Sequence, residues 1–273
     1  MKKGISIWAF GQTALERAFE LAAQAGFEGV EVALAESGEL TLETAEADIE
    51  KIKAVAENAG LALYSVASGL YWEYSLTSND PVIRKKAEAI AKKQLDVAAW
   101  LGCGTVLVVP GIVDESVSYD LAYDRALDAL KRLAPYAEQR GVVIGVENVW
   151  NKFLLSPLEM RDFIDNIGSP FVKAYFDVGN VVRDGYPEQW INILGSRIAK
   201  IHFKDYKRAV GTLDGFVDLL EGDVDYPAVM AALSAAGYNG WLTAEVFSKA
   251  GSSFEAWING VSRAMDVIIK GEQ

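Results

Sequence analysis

The sequence predicts a single closed barrel of eight β/α units, a (β/α)8 architecture, and three observations carry that prediction. Short β-rich runs alternate with longer helical segments from one end of the chain to the other. The runs are almost continuously apolar, as strands covered on both faces must be. The chain has 273 residues, near the ~250 typical of such a barrel. No Pro/Ser-rich linker, charge block or low-complexity stretch divides it. One domain over residues 1–273 is therefore expected, and a doubly wound open sheet is the competing arrangement.

In chain order the expected strands are GISIW (4–8), GVEVAL (29–34), LALYSVAS (61–68), TVLVVP (105–110), VVIGVE (142–147), VKAYFDV (172–178), IAKIHF (198–203) and WLTAEV (241–246). Between them LERAFELAAQAG, AEADIEKIKAVAENAG, VIRKKAEAIAKKQLDVAAWLG and DLAYDRALDALKRLAPYAEQRG place apolar residues at i, i+3, i+4 and i+7, and each ends in glycine. That is the pattern of an amphipathic helix with a glycine stop. A final segment, SFEAWINGVSRAMDVIIK, is expected as an extra C-terminal helix packed on the outside.

Composition narrows the function. With 51% hydrophobic and 23% charged residues the chain can build a large core. The 26 basic against 38 acidic residues give a formal charge of −12. Such a surface repels nucleic acid and anionic lipid, so a phosphate on any ligand must be met by a local cluster of cations. Cys103 stands alone, which excludes an internal disulfide and fits a reducing, cytoplasmic setting. The opening MKKGISIWAFGQTALERAFEL has two lysines, but its apolar run is broken by Gly11, Gln12 and Thr13, so it reads as strand then helix rather than a leader. No run is long and apolar enough to span a membrane.

Four strands break the apolar rule, all at their C-terminal ends. VVIGVEN reaches Glu147, VKAYFDVGN reaches Asp177, IAKIHF reaches His202 and WLTAEVF reaches Glu245. A buried carboxylate without compensation is very costly. Taken singly, a lone histidine is more often structural and a strand-end acid more often a helix cap. On four successive strands, the fifth to the eighth, the side chains converge at the mouth where barrels of this kind hold their sites. Three carboxylates would repel one another unless a cation sat among them, and a divalent metal satisfies the set. Carboxylates with one imidazole suit Mn2+, Mg2+, Co2+ or Zn2+, with coordination positions left for substrate oxygens.

At these residues the chain resembles the xylose isomerase-like TIM-barrel superfamily, in particular its sugar phosphate isomerase/epimerase members, the ketose 3-epimerases and inosose dehydratase-like proteins. The resemblance runs over essentially the whole chain through GFEGVEV, TVLVVPG, GVENVW, YFDVGN, HFKD and LLEGDVDYPAVMAALSAAGYNGWLTAEV. It implies that Glu147, Asp177, His202 and Glu245 are metal ligands, with Mn2+ the expected ion. It also implies that Glu147 and Glu245 form the acid/base pair of a ketose 3-epimerase. A metal holding the carbonyl and the neighbouring hydroxyl would stabilise the enediolate left when the α-proton departs. Members of this group are often dimers or tetramers, so a homo-oligomer is anticipated.

The resemblance places Arg208 where ketose 3-epimerases hold a substrate-binding arginine, able to fork onto hydroxyls or a phosphate. Lys204 and Asp205 follow the histidine, as supports of the site or as an ion pair between loops. Lys152 joins Arg208 and Lys204 as a cation whose position would favour a phosphate. Trp8 and Trp150 are expected to line the site. Phe10, Tyr71, Trp72 and Phe247 are assigned mainly to core or interface packing. Glu73 is a candidate substrate contact after strand three, and Glu31 is read as a cap ending strand two. Two positions depart from the free-ketose enzymes: Phe153 stands where they often carry a glutamate, and Asn180 where they carry a histidine, still able to bond a hydroxyl. A dehydratase acting on a keto-polyol is the alternative enzyme, and a sugar-binding or structural-metal barrel is the non-enzymatic one. The multi-histidine members of the superfamily do not match a chain with one histidine.

Overall fold

A computed structural model describes residues 1–248 and 253–271. Eight parallel strands close into a barrel in the order β1-β10-β7-β6-β5-β4-β3-β2. They are β1 (Lys2–Ser6), β2 (Gly29–Leu34), β3 (Ala62–Ser68), β4 (Thr105–Val108), β5 (Val143–Glu147), β6 (Val172–Asp177), β7 (Ile198–Phe203) and β10 (Trp241–Ala244). β1 pairs with both β2 and β10, which removes any free edge and rules out the open sheet. The outer ring is α1 (Leu15–Gln24), α2 (Glu46–Asn58), α3 (Pro81–Leu101), α4 (Tyr119–Arg140), α5 (Pro157–Ile167), α6 (Pro187–Leu194), α7 (Tyr226–Ala235) and α8 (Phe254–Lys270). The expected C-terminal helix is α8, which packs against α7 and α1 and completes the ring as its eighth member.

Local chemistry sets the helix ends. Asp80 accepts from Val82 N ahead of Pro81 to start α3, and Ser156 does the same for Glu159 N ahead of Pro157 at α5. The α3 and α4 helices stop at Gly102 and Gly141, whose left-handed backbone, at φ 76° and 66°, suits a residue without Cβ. The core is one continuous apolar cluster between the strands and the helix layer. Gln94 is a polar side chain that crosses that layer: from α3 it donates to Val66 O at 2.7 Å and Leu107 O at 2.9 Å, and accepts from Tyr71 OH at 2.7 Å. It ties α3 to the seam between β3 and β4.

Two differences from the expected pattern shape the mouth. β1 ends at Ser6 and a 3-10 turn, Ile7–Phe10, carries Trp8 over the barrel. Between β7 and α7 the chain inserts a two-stranded antiparallel ribbon, β8 (Asp205–Tyr206) with β9 (Phe216–Val217). Asp205 fastens this insert by accepting from the backbone N of Tyr206, Gly222 and Val224, and a Cβ at Gly222 would collide with its carboxylate. Among the described residues no helix is long and apolar enough to cross a membrane.

Candidate metal centre

Glu147, Asp177, His202 and Glu245 meet at the C-terminal end of the barrel, each offering a ligand atom within 4.8 Å of the others. Asp177 and His202 are fully buried, while Glu147 and Glu245 border a cavity of about 650 Å³ above them. His202 Nδ1 lies 2.7 Å from Glu245 Oε2, 3.2 Å from Glu147 Oε1 and 3.9 Å from Asp177 Oδ2. Donors around one small divalent ion at ~2.1 Å are spaced about 3 Å apart, so the cluster has the right scale.

The other imidazole nitrogen faces inward. Nε2 lies 2.9 Å from Glu31 Oε1, and Tyr175 OH donates to Glu31 Oε2. With the ring proton on Nε2 and given to Glu31, the Nδ1 lone pair points at the three carboxylates, the arrangement a metal-bound imidazole needs. The expected role of Glu31 as a helix cap is therefore wrong. It sits within β2, fully buried inside the barrel, because the alternation of a strand sends it inward between Val30 and Val32.

Asp177 is gripped from both sides. Asn148 forms a two-way bond with its backbone, donating to Asp177 O at 2.8 Å and accepting from Asp177 N at 2.8 Å. Asp177 Oδ1 accepts from Asn180 N at 2.8 Å. The second oxygen, Oδ2, accepts no hydrogen bond, and neither does the buried Glu245 Oε2. Lys204 Nζ approaches both, at 3.2 Å and 2.8 Å, close enough for ion pairing but without the angle of a hydrogen bond. Buried carboxylate oxygens left open toward a common point fit a divalent ion.

The electrostatics separate the two glutamates. Burial holds the Glu147 carboxyl above the usual range against the pull of His202. Burial also acts on Glu245, but Lys204 and His202 outweigh it and hold that carboxyl below the usual range. Burial alone would lower the Lys204 ammonium, yet Asp177, Glu245 and Glu147 keep it charged well above its ordinary value.

The cavity brings together Trp8, Trp150, Asn180 and Lys204 from the expected set. Trp150 donates its indole N–H to Asn180 O at 2.8 Å and packs on Tyr206 and Phe216, while the Asn180 side chain donates to Asn148 O at 2.9 Å. Arg208 is placed elsewhere: its guanidinium donates to Val182 O at 2.8 Å and Gly185 O at 3.3 Å and lies over Tyr186. Glu73 is exposed beside the Tyr74 hydroxyl, off the cavity wall. Trp72 and Phe247 line the cavity rather than packing in the core, whereas Phe10 and Tyr71 are buried as expected. Phe153 is buried among Tyr119, Tyr123 and Phe163. Asn148 and Glu31 escaped the sequence reading as site residues; the signal for both was a polar side chain beside or within an apolar strand.

Comparison with known proteins agrees with the barrel fold. A 2-epi-5-epi-valiolone 7-phosphate 2-epimerase from an Actinoplanes species is 28% identical over 188 residues, 69% of this chain and 66% of that protein, so the match spans just under two thirds of its length. An L-ribulose 3-epimerase from a Methylomonas species is 27% identical over 238 residues, covering 83% of this chain and 76% of its own. A crystal structure of D-psicose 3-epimerase with D-tagatose, from Clostridium cellulolyticum H10, superposes with a TM-score of 0.82 at 21% identity over 99% of both chains, a likeness of fold. The family model described as a xylose isomerase-like TIM barrel matches residues 19–270. The chain belongs to the xylose isomerase-like TIM barrel family.

Proposed function

We propose that this protein is a divalent-metal-dependent ketose epimerase that inverts carbon 3 of its substrate by proton transfer between Glu147 and Glu245. The observation that carries the reading is the split within the four-donor cluster: Asp177 and His202 are sealed below, and the two glutamates alone border the cavity. They can help hold an ion and still reach a carbon seated above it. Both relatives being epimerases supports the same reaction class.

Mn2+ is the ion we assign to Glu147, Asp177, His202 and Glu245, and Mg2+, Co2+ or Zn2+ suit the same donors. A bound divalent cation supplies an electrophile for the substrate oxygens beside the reacting carbon. The rest is the work of the chain. One glutamate takes the proton from carbon and the other returns one from the opposite side, which inverts the centre. Lys204 steers Glu245 at 2.8 Å, Asn148 fixes the backbone of Asp177, and Glu31 fixes the tautomer of His202. Trp8 and Trp150 wall the cavity and keep water from the reacting carbon.

The test is loss of the carbon-bound proton signal from ketoses incubated with Mn2+-loaded protein in deuterium oxide, followed by proton NMR. Exchange accompanied by an epimeric product is expected. Absence of exchange across a broad ketose panel, in protein that binds Mn2+, overturns the proposal. An enone-type product in place of an epimer would assign the protein to the dehydratases instead.

A further inference from the structure

The four donors at the mouth stand on a layer of polar side chains buried inside the barrel, away from the cavity. Tyr175 lies two residues before Asp177 on β6, so strand alternation sends both inward, the carboxylate at the mouth and the phenol one layer below. The Tyr175 hydroxyl donates to Glu31 Oε2 on β2, and Glu31 Oε1 meets His202 Nε2 on β7 at 2.9 Å. Ser65 of β3 adds a hydroxyl 3.2 Å from the Tyr175 oxygen, which accepts there because its own proton is given to Glu31. Ser65, Tyr175, Glu31 and His202 are all fully buried, and they link four strands in one hydrogen-bonded thread.

Tyr175 also bears on the imidazole directly. Its ring packs edge-on against His202, with centroids 4.7 Å apart and planes at 60°. The neighbouring strand makes room for that ring: a Cβ on Gly145 of β5 would come within 2.8 Å of Tyr175 Cδ2 and 2.9 Å of its Cβ. The terminal torsion of a glutamate is soft, so a carboxylate held by one bond can turn. Held at both oxygens it cannot, and it then fixes the direction of the Nε2–H that it accepts.

Resting on the reading of His202 as a metal ligand, we infer that Tyr175 is a positioning residue for the metal centre. Its hydroxyl holds Glu31 and its ring holds the imidazole, so that Nδ1 faces the three carboxylates. Tyr175 itself lies outside the ligand set and off the cavity wall.

Two variants test the inference. Tyr175→Phe keeps the ring and removes the hydroxyl. Tyr64→Phe is the control, because it removes another buried tyrosine hydroxyl of the barrel, one bonded to Thr243 Oγ1 at 2.8 Å. His202 is the only histidine of the chain, so histidine-selective 15N labelling leaves a single imidazole to follow. In chelator-treated protein the Nε2–H proton of the parent should exchange slowly with solvent, and Tyr175→Phe should speed that exchange by at least about tenfold. Calorimetric Mn2+ affinity should fall by about tenfold in Tyr175→Phe. Tyr64→Phe should match the parent in both measurements. In a parent that binds Mn2+, unchanged affinity or unchanged exchange in Tyr175→Phe, or equal changes in Tyr64→Phe, overturns the inference. In a parent that takes up no Mn2+, faster exchange in Tyr175→Phe counts against the metal reading alone, and unchanged exchange overturns both.

Discussion

Two regions of this barrel bury polar side chains in apolar surroundings, and they treat them in opposite ways. At the seam between β3 and β4, Gln94 is fully buried and each of its polar atoms has a partner: Val66 O, Leu107 O and Tyr71 OH. At the mouth formed by β5, β6, β7 and β10, buried oxygens of Asp177 and Glu245 accept no hydrogen bond from the chain. A buried amide satisfied from within binds the layers together. Three buried carboxylates are costly, and Lys204 and His202 offset only part of their charge, so the cluster could hold a further cation. Burial is the same in both regions; the Gln94 amide is satisfied in full from within, and the carboxylate cluster is not.

The largest expected effect lies at the glutamates. Glu147→Gln and Glu245→Gln should each cut proton exchange and turnover by about 10²–10⁴-fold, as expected for loss of an acid or base, with far-ultraviolet circular dichroism unchanged. Full activity in both variants removes the proton-transfer roles. The seam predicts the reverse pattern: Gln94→Leu strands two strand carbonyls and the Tyr71 hydroxyl, and should cost about 3 kcal/mol in denaturant unfolding. Its Mn2+ affinity should not change, and a matching loss of metal binding would show that the two regions are not separable. The smallest effect lies between them. Glu31→Gln still fits the barrel but weakens the grip on His202 Nε2, and Mn2+ affinity should fall by about 10- to 100-fold; Glu31→Asp, which keeps the charge, should recover part of it. Unchanged affinity in Glu31→Gln would leave the residue a purely structural one.

The barrel was legible because its strands are short apolar runs between amphipathic helices, and the four donors because each interrupts such a run near its end. Glu31 was misplaced although it stands third in the expected strand 29–34: alternation with Val30 and Val32 turns it inward, where a cap cannot be. Arg208 was assigned by resemblance to ketose 3-epimerases. The ribbon of β8 and β9, strands of two residues each, carries too little pattern to be foreseen, and the arginine beside it bonds to the loop after β6 instead. Trp72 and Phe247 show a different limit. An aromatic beyond a strand end has the same composition whether it fills a core or lines a cavity, and only the assembled mouth distinguishes the two.

The four donors at the mouth could hold one divalent ion. Calorimetric titration of Mn2+ into chelator-treated protein tests it most directly. One equivalent should bind per chain, raising thermal stability by about 2.7 kcal/mol when free Mn2+ reaches a hundred times its dissociation constant. Asp177→Asn should weaken that binding severely. A chain that takes up no Mn2+, or an Asp177→Asn variant that binds it as the parent does, contradicts the account.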